Sequence, residues 1–121
     1  MNISPKLTRG WIVAASLVLP LSTFAVGAIA VDDQQGDSEP GYGISTGASS
    51  KQEAQRQAVK ECRKAGNDSC KVVVWFETCG AYAASRNYFG IGYGSTLEKA
   101  ERMALKECGH NRCKVHVSDC E

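Results

Sequence analysis

Two stretches of the chain repeat the same order of apolar and polar residues. Residues 49–62 read SSKQEAQRQAVKEC and residues 95–108 read STLEKAERMALKEC, an offset of 46 positions. In both, apolar residues recur every three or four positions, as on one face of an amphipathic helix. Gly66 and Gly109 follow these stretches, at positions where glycine commonly ends a helix. The pattern predicts two helices of about four turns each.

Both helical stretches open with a capping box, a serine followed three residues later by Glu or Gln. The pairs Ser49/Gln52 and Ser50/Glu53 both fit the first helix. Ser95 with Glu98 fits the second helix. The sequence therefore predicts an N-cap at position 49 or 50 and another at position 95.

The residues around the two helices have the composition of short strands. CKVVVWFE (70–77) and CKVHVSD (113–119) directly follow the helices and are rich in β-branched residues. Glycine-rich extended stretches precede the helices at 41–47 and 88–94. We expect these glycines to let the strands and helices approach closely.

The order of these elements predicts an α+β domain. Strands are also expected at 26–33 and directly after Cys79, the latter ending in a turn at 85–87. The two repeat halves, at about 41–79 and 88–120, each read as a strand–helix–strand unit. We expect one small antiparallel or mixed sheet with both helices on one of its faces.

The first 25 residues have the pattern of a secretory signal. Lys6 and Arg9 precede an uncharged apolar run and then small residues. The candidate cleavage sites follow Ala25, Ala28 and Ala30. An uncleaved membrane anchor at 10–31 is the alternative. We expect a signal peptide at 1–25, a single domain at 26–121, a periplasmic or secreted location, and no membrane attachment after cleavage.

The charge of the predicted mature domain is nearly balanced. The signal removes two of the 14 cations, so 12 cations face 13 acids in residues 26–121. This balance implies neither nucleic acid nor an anionic membrane surface as the partner.

All six cysteines lie in the predicted mature domain, a number that indicates three disulfides in a small exported chain. No C-x-x-C pair is present, so we expect no metal. In each repeat, one cysteine ends the helix and another begins the next strand. We therefore predict two local disulfides and a third between the remaining cysteines, which would cross-link the two halves. The predicted pairs are Cys62–Cys70, Cys108–Cys113 and Cys79–Cys120.

Several motifs together resemble the bacterial secreted domain-of-unknown-function family 4189. They are GAIAVDD, YG-x-STGASS before the first helix, CGA-x-A after the next strand, and the second A-x-x-x-AL-x-x-C unit followed by a turn and a cysteine. The resemblance covers essentially all of 26–121. The chain departs from the family in its shorter turn before Cys113 and in its last four residues. The resemblance implies export, an α+β fold and disulfides, and supplies no catalytic residues.

The exposed aromatic side chains are the best candidates for a functional surface. Strand alternation turns Trp75 away from its neighbours Val74 and Phe76. Exposed Trp and Tyr side chains are typical of protein-binding surfaces. We expect a non-enzymatic module without a cofactor that binds a protein of the cell envelope, as an inhibitor or immunity-type protein does. The expected binding residues are Trp75, Tyr88, Tyr93, Asp32 and Asp33, the last two in the acidic segment 32–39.

Two other functions remain open at this point. One is a cell-envelope hydrolase that uses Asp32, Asp33 or Glu77 as acid and base, which requires carboxylates that converge in a cleft. The other is a structural or stress-related envelope protein without a specific ligand. His110, in a predicted turn, and His116, in the middle of a predicted strand, are expected to face solvent, or in the case of His116 a partner.

Overall fold

The computed structural model describes residues 25–34 and 40–121, which contain six strands and two helices. The first half contains β1 (Val26–Asp32), β2 (Gly41–Ala48), α1 (Lys51–Lys64) and β3 (Lys71–Phe76). The second half contains β4 (Cys79–Ala84), β5 (Phe89–Gly94), α2 (Leu97–Cys108) and β6 (Lys114–Cys120). The predicted helices and strands are confirmed.

Two of the predicted segments fall on residues that the structure does not describe. The predicted signal peptide lies outside the described residues except for Ala25, and so do residues 35–39 of the acidic segment. Neither helix of the described residues is long and apolar enough to cross a membrane.

The strands form two antiparallel sheets, where we predicted one. The first sheet has the order β2-β1-β3 and the second has the order β5-β4-β6. Each half of the chain therefore has the same order of elements and the same order of strands. The α+β class is confirmed, and the number of sheets differs from the prediction.

The two sheets stack face to face and place the helices on opposite outer faces. β1 packs on β4, and β3 packs on β4 and β5. The core between the sheets includes Ile29, Val31 and Phe76 of the first sheet and Tyr82 and Val117 of the second. The prediction that both helices lie on one face is wrong, because β1 and β4 are buried on both faces and each sheet covers the other.

Each helix lies directly against the backbone of a glycine in the sheet beneath it. A Cβ at Gly43 would overlap the backbone of Ala58 and Cys62, and a Cβ at Gly92 would overlap the backbone of Ala100 and Ala104. The buried residues of each helix are two alanines and one cysteine. Small side chains on both elements permit this close approach, as the glycine-rich strands led us to expect.

The helix N-caps are Ser50 and Thr96. The Ser50 hydroxyl accepts a hydrogen bond from the Glu53 amide, and the Thr96 hydroxyl accepts one from the Lys99 amide, each at 3.1 Å. Ser50 was one of the two predicted positions. The prediction of Ser95 is wrong by one residue, although the repeat itself aligns position 50 with position 96.

The carboxylate of Glu53 accepts hydrogen bonds at the start of α1. The Ser49 amide and the Ser49 hydroxyl both donate to Glu53 Oε1 at 2.8 Å. These two hydrogen bonds, and to a smaller extent the charge of Arg56, lower the pKa of Glu53. The carboxylate thus remains ionised and close to the positive end of the helix dipole.

The three disulfides join the predicted partners. Cys62 bonds to Cys70 and Cys108 bonds to Cys113, so each helix is tied to the strand that follows it. Cys79 bonds to Cys120. These two residues are direct cross-strand neighbours on β4 and β6. The third disulfide therefore lies within the second sheet and does not join the two sheets. The predicted cross-link between the halves counted Cys79 with the first half, whereas the structure places it on β4, in the sheet of the second half.

The last residue of the chain connects the two halves by hydrogen bonds. The Gly47 amide of β2 donates to Glu121 Oε1 at 2.7 Å, and the Glu121 amide donates to the Thr78 carbonyl oxygen at 2.7 Å. The Cys79–Cys120 disulfide holds the neighbouring residue in place. This contact adds to the packing of the two sheets against each other.

Replacing Gly92 with alanine is expected to lower the free energy of unfolding by about 1–3 kcal/mol, because the added Cβ would lie 2.6 Å from the Ala104 amide nitrogen. Gly94→Ala is the matched control on the same strand and face, where the nearest atom to the added Cβ is Lys99 Cβ at 3.0 Å. The control should change stability by less than about 1 kcal/mol. Urea unfolding measures both, and equal losses would contradict the assigned contact.

Removing the disulfides in pairs should destabilise the protein in the order of the loops they close. Sequence separations of 41, 8 and 5 residues correspond to about 4, 2.5 and 2 kcal/mol of lost unfolded-state constraint. The Cys79→Ala/Cys120→Ala protein should therefore have the lowest urea midpoint. A lower midpoint for Cys108→Ala/Cys113→Ala would show that native-state strain, not loop length, decides the order.

Candidate functional site

A groove at one end of the sandwich brings together two of the predicted binding residues. Trp75 comes from β3 of the first sheet and Tyr93 from β5 of the second, both outer strands. The groove has a volume of about 490 Å³. Its lining residues are Trp75, Phe76, Glu77, Thr78, Cys79, Tyr93 and Gly94. Trp75 is 39% exposed and Tyr93 is 57% exposed, so both rings are available at the surface. We call this site the aromatic groove.

Trp75 lies on the face of the first sheet that carries α1. Its backbone partner in β1 is Ala28, whose side chain belongs to the core under the helix. The Lys51 ammonium group lies 4.8 Å from the centre of the Trp75 ring. This cation–π contact holds one face of the ring beside the start of α1 and leaves the rest open.

Tyr88 does not belong to the aromatic groove. It directly precedes β5, and Tyr93 lies near the other end of that strand, about 17 Å away along the chain. The Tyr88 ring stacks on His110, with the ring centres 4.8 Å apart. The predicted binding surface is therefore divided between the two ends of the sandwich.

Asp32 is buried and organises a turn. Its side chain accepts hydrogen bonds from the amides of Gln34 at 3.0 Å, Asp68 at 3.2 Å and Ser69 at 3.1 Å. The turn between α1 and β3 thus lies against the end of β1. Within this turn, Asn67 donates to the Cys62 carbonyl oxygen at the end of the helix. Because Asp32 is only 3% exposed, its position fits a structural role and not a binding surface.

The three carboxylates of the hydrolase hypothesis do not converge. Asp33 forms an ion pair with Lys71 at 3.4 Å, at the end of the sheet where β1 finishes and β3 begins. Glu77 follows β3 at the opposite end, where Phe76 pairs with Gly27. The length of β1 separates these ends by about 17 Å. General acid and base groups must both reach one scissile bond, and this separation does not place them there.

The buried Tyr82, which the charge of Asp33 reaches, is held in its neutral form. Burial, and to a smaller extent the negative charge of Asp33, raise the pKa of Tyr82. Its ring belongs to the core between the sheets and stacks on the exposed ring of Phe89. Tyr82 therefore contributes to packing.

The two histidines differ in their surroundings. His110 is exposed in the turn after α2, where its Nδ1 accepts a hydrogen bond from the Arg112 amide at 3.1 Å. His116 is partly buried, with Nε2 3.2 Å from the Ala84 carbonyl oxygen. The structure thus confirms the turn position of His110, whereas His116 contacts the backbone of β4 and is not turned simply to solvent. Within residues 25–34 and 40–121, no group of three or more His, Cys, Asp or Glu side chains is arranged to hold a metal ion.

Comparison with known proteins adds a family to this fold. A family model described as a domain of unknown function, DUF4189, matches residues 26–120. The chain belongs to this family. The resemblance noted from the GAIAVDD and helix–cysteine motifs is therefore confirmed.

Curated relatives of this DUF4189 chain come from mycobacteria. Protein Rv1269c of Mycobacterium tuberculosis and Protein Mb1300c of Mycobacterium bovis are each 41% identical to it over 56 residues. The match covers 46% of this chain and 43% of each relative. The chain thus spans less than half of the length of these relatives.

A solved structure has a similar fold. The NMR structure of Rv1813c from Mycobacterium tuberculosis matches with a TM-score of 0.62 and 22% sequence identity, over 98% of this chain and 97% of that one. At this identity the similarity concerns the fold of the DUF4189 domain alone.

Asp32→Asn should lower the free energy of unfolding by about 2–3 kcal/mol, because Asp32 accepts through both carboxylate oxygens, whereas the NH2 group of Asn cannot accept and would face the Gln34 amide or the Asp68 and Ser69 amides. The neighbouring change Asp33→Asn is the control and should cost less than about 1 kcal/mol, since it removes one exposed ion pair. Urea unfolding and amide hydrogen exchange at Asp68 and Ser69 measure the effect. Similar losses in both proteins would contradict the structural role of Asp32.

Proposed function

We propose that this protein is an exported, non-enzymatic binding module that captures a protein partner of the cell envelope through the aromatic groove. The observation that carries the proposal is the meeting of Trp75 and Tyr93, from different sheets, along one concave surface. Exposed Trp and Tyr side chains beside a groove are the usual anchors of protein–protein interfaces. A hydrophobic side chain of the partner would occupy the groove between the two rings.

The cross-linked framework supports a binding role. Phe76 and Cys79 line the floor of the groove, and both are buried. The Cys79–Cys120 disulfide and the hydrogen bond between Glu121 and Thr78 fix the connection from β3 to β4. A rigid surface loses little conformational entropy on binding. Within the class of binding proteins, an inhibitor or immunity-type protein that blocks an envelope-directed enzyme fits such a surface.

Export is part of the same proposal. Three disulfides in the described residues are typical of proteins that fold in an oxidising compartment, here the periplasm or the cell exterior. We infer that the signal peptide is cleaved after Ala25. Val26 is the first residue of β1, the central strand of its sheet. Cleavage after Ala28 or Ala30 would remove part of that buried strand.

The proposal is tested by capturing partners from envelope extracts with immobilised protein and by measuring the affinity for the partner that is recovered. Trp75→Ala and Tyr93→Ala should each weaken binding by about tenfold or more, as removal of a central aromatic anchor commonly does. Tyr42→Ala is the matched control, because Tyr42 is 46% exposed on β2, the outer strand on the other side of the first sheet.

Circular dichroism of each variant shows whether the fold is retained. Equal binding by the Trp75→Ala, Tyr93→Ala and unmodified proteins would reject the aromatic groove as the binding surface. The same holds if Tyr42→Ala weakens binding as much as the other two changes.

A further inference from the structure

Helix α1 carries a concentration of positive charge that α2 lacks. Helix α1 contains five cations and two acids, whereas α2 contains three of each. The charge of residues 26–121 as a whole is nearly balanced. The cations of α1 therefore form a local feature of one outer surface.

A second groove lies along this helix. Helix α1 packs mainly on β2 and β1, because Gly43 brings the helix backbone down onto β2. The outer face of β3 is left beside the helix as the floor of a groove of about 740 Å³. Its lining includes Arg56, Lys60, Arg63 and Lys64 together with the apolar residues Val59 and Val72. We call it the cationic groove.

In the second half, carboxylates stand at the positions of α2 that align with two glutamines of α1. The repeat aligns Gln52 with Glu98 and Gln55 with Glu101. Glu98 forms an ion pair with Arg102 at 3.3 Å, and Glu101 accepts a hydrogen bond from the Ser118 hydroxyl of β6 at 2.6 Å. In the second half, Glu101 therefore contacts the outer strand, and Glu98 pairs with a cation of the same helix.

In the first half, glutamines stand where those carboxylates lie, and of the four cations of the groove only Lys64 forms an ion pair among the described residues, with Glu61 at 3.6 Å. Within the described residues, Arg56, Lys60 and Arg63 form no ion pair within 4.0 Å. The acid nearest in sequence to Arg56 is Glu53, whose Oε1 accepts two hydrogen bonds from Ser49. Of two halves with one topology, one thus has a net positive helix and the other a balanced one, so the fold itself does not require the cationic groove.

The spacing of Arg56 and Lys60 matches that of alternate side chains in an extended peptide. Residues four apart on a helix are separated by about 6 Å along its axis, as Arg56 and Lys60 are. Alternate side chains of a strand lie about 6.6–6.8 Å apart on one face. The described strands leave the outer edge of β3 unpaired, which offers backbone hydrogen bonds to an added strand. At one end of the groove, Lys71 is already paired with Asp33. Near the other end, Lys51 lies over Trp75.

We propose that the cationic groove binds an extended segment of a partner protein with acidic side chains at alternate positions, which pairs with the free edge of β3. The acidic side chains face Arg56, Lys60 and Arg63, and the intervening backbone adds a strand to the first sheet. This inference rests on the proposed function in taking the partner to be a protein, and it names the chemistry of the bound segment. A lipid headgroup or an anionic polymer would use the cations but not the strand edge.

The test uses the protein and a short fluorescein-labelled peptide in which glutamate and threonine alternate. Fluorescence anisotropy should show binding that weakens by at least about tenfold in Arg56→Gln/Lys60→Gln. The matched control is Arg102→Gln/Lys106→Gln, the same changes at the aligned positions of α2. It should change the affinity by less than about twofold, because Glu98 and Glu101 supply carboxylates on that helix.

Two further peptides test the geometry. A peptide of the same composition with contiguous glutamates should bind more weakly, and so should the alternating peptide with its amides N-methylated at every second residue. If both double variants weaken peptide binding equally, binding depends only on general charge attraction, and the proposal is overturned. Unchanged binding of the N-methylated peptide would overturn the added strand.

Vesicles that contain phosphatidylglycerol separate a lipid surface from a peptide. Binding to these vesicles that depends on Arg56 and Lys60, without binding of the alternating peptide, would also overturn the proposal. The peptide assay does not involve the natural partner. If the alternating peptide binds and Trp75→Ala leaves partner capture unchanged, the aromatic groove is rejected and the cationic groove is retained. If the peptide does not bind and Trp75→Ala weakens partner capture, the cationic groove is rejected and the aromatic groove is retained.

Discussion

The contact between each helix backbone and the glycines of one outer strand determines the rest of this structure. Gly43 lies under Ala58 and Cys62, and in the second half Gly90 and Gly92 lie under the backbone of α2. A helix held this closely to one outer strand covers that strand and the central one. The third strand of each sheet is then left beside the helix. Close packing of this kind replaces large apolar side chains with many short contacts between small groups.

This helix position also explains the places of the local disulfides. Cys62 and Cys108 are the last buried residues of the two helices, so each sulfur points toward the sheet where the following strand begins. A tight turn then brings Cys70 or Cys113 within bonding distance. The two cores between each helix and its sheet consist almost entirely of alanine and cysteine. Burying such small side chains contributes little hydrophobic free energy. Covalent links therefore supply stability that those cores cannot.

The sequence predicted the elements of this fold better than their assembly. Periodicity and glycine positions located both helices, and the doubled motif selected two disulfides among many possible pairings. The number of sheets was missed because strand composition alone does not say what covers each face. A signal was present in VGAIAVD and CGAYAA, which have no polar alternation and so belong to strands buried on both sides. Two such central strands imply two sheets, each covered by a helix and by the other sheet.

For the candidate sites too, the sequence predicted individual residues better than their arrangement in space. Alternation along β3 identified Trp75 as exposed, but only the stacking of the two sheets places Tyr93 beside it and Tyr88 elsewhere. Asp32 read as a surface acid because the amides that surround it come from a turn 36 residues later in the chain. The cationic groove was hidden by a nearly neutral total charge. Comparing the two repeats position by position, Gln52 with Glu98 and Gln55 with Glu101, would have revealed it.

The charges of α1 are not explained by the stability of the helix. Arg63 and Lys64 lie in its last turn, where cations interact favourably with the helix dipole. Arg56 and Lys60 lie farther from that end, and like charges four residues apart destabilise a helix. The aligned stretch of α2 has the same like-charge pair, Arg102 and Lys106, but it also has Glu98 four residues before Arg102, the favourable order of an ion pair. A sequence adjusted for stability alone would carry the second arrangement in both halves. The first half forgoes it, which is the physical reason for assigning the cations of α1 to a ligand and not to the fold.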